Sequence, residues 1–282
     1  MKSGFVVMIG RSNVGKSTLM NTIIGSKIAI TTPKPQTTRM PIQGILNRDG
    51  AQIVFVDTPG VLKGAKDTLS KKLSEAVKAS LHDVDVIVYV VDPTRDIGDE
   101  EKSVARMIRD LKQPKILVIN KIDLPRKPFI DFYRDMGEDF DDVVEVSALE
   151  GTHVGGLIEH IIERMPEGEA YYPIGQLTNM PNKFWLAELI REKLFLRLRQ
   201  ELPYTIHVEV TELERRNNGT IYIAATIFTT EERYKRMIIG QGGRGIKEIG
   251  QSTRRELELV MQTKVFLDMT VDVDPHWMQR FE

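Results

Sequence analysis

Apolar residues in the first half of the chain gather into short runs. Residues 5–9, 84–91 and 115–119 are almost unbroken, while 42–47, 51–56 and 143–146 are shorter or mixed. Their length, their valines and isoleucines, and the turn residues that bound them mark these runs as strands. Between them, residues 17–24, 66–81 and 99–111 carry helical patterns. Strands alternating with helices predict an α/β architecture, a parallel-type sheet with helices on both faces. Asn47-Arg48-Asp49-Gly50 supplies turn chemistry between 42–47 and 51–56, so that pair reads as a hairpin. Residues 31–39, with Pro33 and Pro35 and no apolar period, read as a loop.

The pattern breaks at 165–175, where Pro166, Gly168, Pro173 and Gly175 interrupt every period. Beyond it, residues 181–200 read as an amphipathic helix with Trp185, Leu186, Leu189, Ile190, Leu194 and Leu198 on one side. Alternating strands at 205–213 and 220–228 follow, joined by Asn217-Asn218-Gly219. Then come a helix over 232–239, the turn Gly240-Gln241-Gly242-Gly243, a helix over 244–263 and a strand over 264–273. This α-β-β-α-α-β order describes a smaller α+β unit. The expected division is a first domain over 1–168, a linker over 169–178 and a second domain over 179–282. In the helix over 244–263, Ile246, Ile249, Thr253, Leu257 and Val260 share a face that would meet the sheet. Lys247, Gln251 and Arg254 lie about a quarter turn away, near the side of Arg244. With Arg233, Lys235 and Arg236 before the turn, they outline a basic stripe.

Composition narrows the chemistry. The 282 residues are 41% apolar and carry a net charge of −1, so a basic surface for nucleic acid has to be local. The absence of cysteine excludes disulfides, zinc–thiolate sites, iron–sulfur clusters and a thiol nucleophile. Met1 stands a few residues before the first strand, and no apolar run has the length of a membrane span. The expectation is a soluble, cytoplasmic protein.

The candidate chemistry sits at strand ends. Gly10-Arg11-Ser12-Asn13-Val14-Gly15-Lys16-Ser17, followed by Thr18, has the form G-x-x-x-x-G-K-S between a strand and a helix. Such a loop turns several backbone N–H groups toward one phosphate chain, and the helix N-terminus adds its dipole. Lys16 would place a charge at the β- and γ-phosphates, and the Ser17 hydroxyl would ligate Mg²⁺. In the following loop, Thr38 would complete the metal shell and sense the γ-phosphate. Asp57-Thr58-Pro59-Gly60 ends a strand, so Asp57 would hold Mg²⁺ through water and the Gly60 N–H would meet the γ-phosphate. Lys16, Thr38 and Gly60 are therefore the candidate catalytic groups. Asn120-Lys121-Ile122-Asp123 ends another strand. Asp123 can accept from N1–H and the exocyclic amine of guanine, a donor pair that adenine lacks. Asn120 would hold the loop and reach the base edge, and the stem of Lys121 would cover the ring. Ser147-Ala148-Leu149 closes the site, with backbone N–H near Ala148 directed at guanine O6.

In this order the motifs resemble those of small GTPases of the translation-factor class, over roughly residues 1–165. Asn13 and Gln36-Thr37-Thr38-Arg39 are similar to the Era/TrmE group, which implies that Asn13 can hold a potassium ion. Ras-like enzymes carry a water-orienting Gln after the D-x-x-G glycine. Val61 occupies that position, so slow hydrolysis is expected.

The second half, with G-x-x-G between two helices, resembles a type II K-homology domain. Glycines there let a single-stranded nucleic-acid backbone approach closely. The RNA-binding residues this implies are Arg236, Ile238, Ile239, Gly240, Gln241, Gly242, Gly243, Arg244, Lys247 and Arg254. Many such loops carry Lys or Arg where Gln241 and Gly242 stand, which shifts the electrostatic share of RNA affinity to Arg236, Arg244 and Lys247. Ile190-Arg191-Glu192-Lys193 and Glu201-Leu202-Pro203-Tyr204 also resemble the Era signature. Taken whole, the resemblance to the Era family covers essentially the entire chain. It implies a monomeric switch that takes GTP or GDP with Mg²⁺, binds the 3′ end of 16S ribosomal RNA and assists assembly of the 30S subunit. The competing readings are a peripheral GTPase on the inner membrane without a dedicated rRNA target, and a P-loop kinase. Asn120-Lys121-Ile122-Asp123 argues against the kinase.

Overall fold

The computed structural model describes residues 1–34, 37–48, 50–60, 68–81 and 83–277. Pro35, Gln36, Asp49, Val61 and the first residues of the helix expected from 66 lie outside the described residues. The described chain divides into two compact units, Met1–Asn179 and Met180–Glu282.

The first unit is built on a six-stranded sheet in the order β2-β3-β1-β4-β5-β6. These strands are β1 (Lys2–Ile9), β2 (Ile42–Arg48), β3 (Ala51–Asp57), β4 (Val86–Val91), β5 (Lys115–Ile119) and β6 (Asp142–Glu145). All neighbours run parallel except β2, which pairs antiparallel with β3. The central strands are buried on both faces, which is why β4 (Val-Ile-Val-Tyr-Val-Val) shows no alternation. The helices are α1 (Lys16–Ile24), α2 (Thr68–Ala79), α3 (Asp99–Arg109), α4 (Ile130–Met136) and α5 (Val154–Arg164). Neither α4 nor α5 was anticipated. α5 begins Val154-Gly155-Gly156, and two glycines lower helix propensity. Its inward residues Val154, Leu157, Ile158 and Ile161 nevertheless follow helical spacing. In a sheet of this order the crevice lies at the carboxyl ends of the strands, beside β1, where the strand order reverses.

Residues 169–178, the expected linker, run along the sheet. Tyr172 N–H donates to Gln52 Oε1 at 2.9 Å, and Gln52 Nε2 donates back to the Tyr172 carbonyl at 2.8 Å. Ile45 N–H donates to the Leu177 carbonyl at 2.8 Å. Gln52 is fully buried, and this exchange satisfies its amide.

The second unit has a three-stranded sheet, β7 (Ile206–Arg215), β8 (Ile221–Thr229) and β9 (Val265–Val273). β7 and β8 are antiparallel, whereas β8 and β9 are parallel and joined through α7 (Glu232–Ile239) and α8 (Arg244–Met261). The helix α6 (Asn182–Arg197) precedes the sheet. Leu186, Leu189, Ile190, Leu194 and Phe195 of α6 pack with Val208, Ile223, Ile227, Ile249, Leu257 and Val271 in one core. The buried face of α8 holds Ile249, Thr253 and Leu257. Val260 does not belong to it: its side chain is 48% exposed, and Met261 in the same last turn packs on the core instead.

Candidate functional site

The parallel strands bring the motifs to one edge of the first unit. β1 delivers the phosphate loop, β3 Asp57, β4 Asp92, β5 Asn120 and β6 Ser147. The phosphate loop is curled by local geometry. A Cβ on Gly10 would lie 2.4 Å from the Val90 carbonyl oxygen. Gly15 has φ +103°, and a Cβ there would lie 2.3 Å from Asn120 Nδ2. Asn13 also takes a left-handed φ of 64°, a conformation asparagine tolerates better than most residues. The loop's carbonyls meet donors: Lys16 Nζ reaches Gly10 at 3.1 Å and Arg11 at 3.2 Å. Arg95 reaches Ser12 at 2.9 Å, Lys121 reaches Asn13 at 2.9 Å and Asn120 reaches Val14 at 2.8 Å.

Arg11 departs from expectation. Its side chain turns away from the loop's concave side and is 3% exposed. Its Nε lies 3.0 Å from Glu101 Oε2, and its NH1 donates to the Asp96 carbonyl at 2.6 Å. Glu101 also accepts from Tyr89 and, at 3.0 Å, from Tyr133. Burial and then the Glu101 carboxylate push both tyrosine hydroxyls far up, so they remain donors. Arg11 thus contributes backbone to the phosphate loop, while its guanidinium is a structural anchor.

Lys16, Ser17 and Thr38 line one cavity, and the Asp57 carboxylate is bonded to the two hydroxyls. Ser17 Oγ donates to Asp57 Oδ2 at 2.6 Å and lies 3.1 Å from Thr38 Oγ1, which is itself 3.4 Å from Asp57 Oδ2. Thr37 turns its hydroxyl into the loop, onto the Lys34 carbonyl at 2.7 Å. Asp57 is fully buried, and its Oδ1 has no hydrogen-bond partner among the described residues. Burial pushes the Asp57 carboxyl up, against the pull of Lys16 and of the Ser17 and Thr38 hydroxyls. Burial likewise lowers Lys16, against the pull of Asp57 and Glu101. A buried carboxylate oxygen without a partner, flanked by two hydroxyls, fits a hard cation such as Mg²⁺. A buried lysine facing loop carbonyls fits an anion. Ser12, Asn13, Thr18, Thr31, Thr32 and Gly60 also line the cavity. Gly60 has to be glycine, since a Cβ there would lie 2.6 Å from Ser12 Cα.

At the base-recognition end, Asp123 Oδ1 accepts from Ser147 Oγ at 2.7 Å. Asn120 does not reach outward. Its Nδ2 holds the Val14 carbonyl, and its Oδ1 accepts the Ala148 N–H at 2.9 Å. It therefore ties the phosphate loop to the loop after β6. The Ala148 N–H, expected to face guanine O6, is engaged by Asn120. Leu149 is 77% exposed. Lys121 has φ 64°, and its Nζ donates to Asp92 Oδ2 at 2.5 Å as well as to Asn13. Asp92 was missed by sequence reasoning. Burial would raise its carboxyl, but hydrogen bonds from Lys121 and Thr94 hold it below the usual carboxylate range. The legible signal for it was an Asp directly after a strand, level with Asn120 after the neighbouring β5.

In the second unit the Gly240–Gly243 turn is built from positive-φ residues, with Gly240 at 73°, Gly242 at 59° and Gly243 at 77°. A Cβ on Gly245 would lie 2.5 Å from the Ile238 carbonyl oxygen, so this glycine lets α8 start tightly against α7. Arg236, Gln241, Arg244, Lys247 and Arg254 are exposed and Ile239 is half-buried. Ile238 is fully buried, so its side chain belongs to the core and offers RNA no contact. Of the basic stripe, Arg233 pairs with Glu231 at 2.8 Å and Lys235 with Asp272 at 3.3 Å. A groove between α8 and β9 is lined by Ile246, Lys247, Gly250, Gln251 and Arg254 on one side and Phe266, Leu267 and Met269 on the other. The β9 residues were not anticipated, because only the parallel β8–β9 pairing places that strand beside α8.

Residues 5–121 match the family described as 50S ribosome-binding GTPase, and residues 201–278 match the KH domain. GTPase Era of Halothermothrix orenii is 41% identical over 284 residues, which cover 99% of this chain and 95% of that protein. GTPase Era of Alkaliphilus metalliredigens is also 41% identical, over 98% of this chain and 95% of its own. A crystal structure of an Aquifex aeolicus Era variant bound to GDP and AlF4⁻ superposes with a TM-score of 0.93 at 36% identity, covering 100% of this chain and 97% of that one. Era in complex with MgGDPNP and nucleotides 1506–1542 of 16S ribosomal RNA matches equally, with a TM-score of 0.93 at 36% identity over 100% and 96% of the two chains.

Proposed function

The chain belongs to the Era family of GTPases, and from that premise we propose that it is a slow GTP switch that reads the 3′ end of 16S ribosomal RNA and assists assembly of the 30S subunit. The observation that carries the reading is the presence, in one chain, of the Ser17–Thr38–Asp57 cluster and the α8–β9 groove. The capture of Era with MgGDPNP and 16S nucleotides supports the RNA target.

In the proposed reaction Lys16 leaves the loop carbonyls and donates to the β- and γ-phosphates, which relieves the cost of burying its charge. Ser17, Thr38 and Asp57 would hold Mg²⁺, which neutralises phosphate charge when bound. The Gly60 N–H meets the γ-phosphate, and Asp123, supported by Ser147, accepts from guanine. Asn13 donates its amide nitrogen to the Pro33 carbonyl at 2.8 Å, which leaves its amide oxygen as the end that would take potassium. Valine at position 61 cannot orient water by hydrogen bonding, so hydrolysis is slow and the nucleotide acts as a timer. Arg236, Arg244, Lys247 and Arg254 neutralise phosphates while Gly240–Gly243 admits the strand.

The competing membrane reading would recruit the apolar side of α6. Leu186, Leu189, Ile190 and Leu194 are core residues, so that side is not free to meet lipid. No helix among the described residues is long and apolar enough to cross a membrane. We place the protein in the cytoplasm as a monomer. Crosslinking of the GTP-bound chain to cellular RNA, with sequencing of the bound fragments, tests the function. Enrichment of the small-subunit 3′ end is expected. Retention on liposomes with no enriched RNA would favour the membrane reading.

A further inference from the structure

The phosphate loop works only if its N–H groups face inward, and in this chain the opposite ends of its peptides are held outward. Lys121 and Asn120 hold the carbonyls of Asn13 and Val14, and both side chains belong to one of the nucleotide motifs. The Ser12 carbonyl is held differently, by Arg95 NH1 at 2.9 Å, from the connection between β4 and α3. No nucleotide motif includes Arg95. We propose that Arg95 is a positioning residue of the phosphate loop, holding the Ser12–Asn13 peptide so that its N–H faces the bound phosphates.

A trans peptide points its C=O and N–H in opposite directions, so fixing the Ser12 oxygen outward fixes the Asn13 N–H inward. This peptide needs holding. Asn13 sits at φ 64°, a left-handed conformation that costs an asparagine some energy. Flipping the peptide would change ψ of Ser12 and φ of Asn13 and relieve that cost, while turning an oxygen toward the phosphates. The bond from Arg95 opposes the flip. Ser12 is also where the loop bearing Gly60 comes closest, with a Cβ on Gly60 placed 2.7 Å from Ser12 N. A change in the Ser12 backbone would therefore reach both phosphate-facing loops.

The connection that carries Arg95 is itself anchored. Arg11 reaches out of the phosphate loop to the Asp96 carbonyl at 2.6 Å and to the Arg95 carbonyl at 3.3 Å. Its guanidinium is fixed from behind by Glu101. The loop gives Arg11 to the connection, and the connection returns Arg95 to the loop. Arg11 is buried, so replacing it would leave the buried Glu101 without its counter-charge and threaten the fold. Arg95 is exposed, and its loss removes the contact without opening the core.

The proposal rests on the nucleotide-site assignment, and the test separates the two. Affinities for GTP and for guanosine, which lacks phosphates, are measured by displacement of a fluorescent GTP analogue, together with the thermal midpoint. Arg95→Ala should weaken GTP roughly fivefold to tenfold, as expected for a lost charge-assisted hydrogen bond at an exposed site. Guanosine affinity and the thermal midpoint should stay at the wild-type values. Arg95→Lys, which retains one donor, should recover part of the loss. Wild-type GTP affinity in Arg95→Ala would overturn the proposal, as would an equal loss for guanosine. Failure of the wild-type chain to bind GTP would instead remove the site assignment itself.

Discussion

Replacing Asn120 by alanine should destabilise the first unit by about 3 kcal/mol and weaken purine nucleotides without regard to the base. The side chain makes two bonds to buried backbone: it donates to the Val14 carbonyl at 2.8 Å and accepts the Ala148 N–H at 2.9 Å. Val14 and Ala148 are both buried, so water cannot readily replace the lost partner. A buried backbone group left unpaired costs about 1–3 kcal/mol. Two such groups give about 2–6 kcal/mol, and relaxation of the two loops keeps the sum toward the lower half. That is a large part of the roughly 5–15 kcal/mol that holds a typical domain, yet not enough to unfold it. With a urea m-value of about 2 kcal/mol/M, the midpoint should fall by about 1.5 M. The assay is urea unfolding followed by far-UV circular dichroism, with tryptophan emission as an internal control. Trp185 and Trp277 are the chain's two tryptophans and both lie in the Met180–Glu282 unit, so emission should report an unshifted transition. Titrations with GTP, ITP and XTP complete the test, and all three should weaken by similar factors. An unchanged midpoint with a selective loss of guanine preference would refute the reasoning, because Asn120 would then read the base rather than tie the loops.

Asp123→Asn should move preference from GTP toward XTP by about tenfold or more, since the new amide donates where the carboxylate accepted; competition titrations check this, and unchanged preference would take Asp123 out of base recognition. Burial raises the Asp57 carboxyl, so acidification should remove the Mg²⁺-dependent part of GTP affinity at a pH above the usual carboxylate range. In the ligand-free chain the raised carboxyl stabilises the fold below the unfolded carboxylate range, and that contribution is lost as pH rises through the raised value. Affinity measured across pH with Mg²⁺ or with EDTA should show this, and Asp57→Asn should flatten the difference. Lys247→Ala with Arg254→Ala should weaken RNA binding and reduce its salt dependence while leaving GTP hydrolysis near wild type, as filter binding at several salt concentrations would show. These groove residues are cleaner probes than Gly240, where a Cβ would lie 2.9 Å from Gly245 N and the substitution would itself strain the turn.

Local pattern made most of both units legible. Valine- and isoleucine-rich runs such as 115–119 are strands because they are short, β-branched and bounded by polar turns, and nothing distant had to be known. Residues 10–17 and 120–123 were equally readable as loops at strand ends, because each is a contiguous stretch that directly follows a strand. Helix α5 was missed because its opening glycines mask a correct apolar spacing. Residues 169–178 look like a linker in composition, but their backbone meets the Gln52 amide and β2, and no local signal encodes a partner so far away in sequence.

What the sequence by itself determined is therefore the list of chemical parts and their order: a G-x-x-x-x-G-K-S loop after β1, two hydroxyls and a carboxylate at Ser17, Thr38 and Asp57, an N-K-x-D stretch after β5 and a glycine turn before a helix bearing basic residues. Those properties live in neighbouring residues, and their physical causes, periodicity and turn chemistry, act over a few positions. The tertiary structure alone decided how the parts are held. It buried the Arg11 side chain against Glu101, assigned Asn120 to joining two loops and buried Ile238. It also gave Arg95 the Ser12 carbonyl. Each of these outcomes depends on hydrogen-bond partners and burial supplied by another strand or helix, and that information exists only once the sheet has brought the strand ends together.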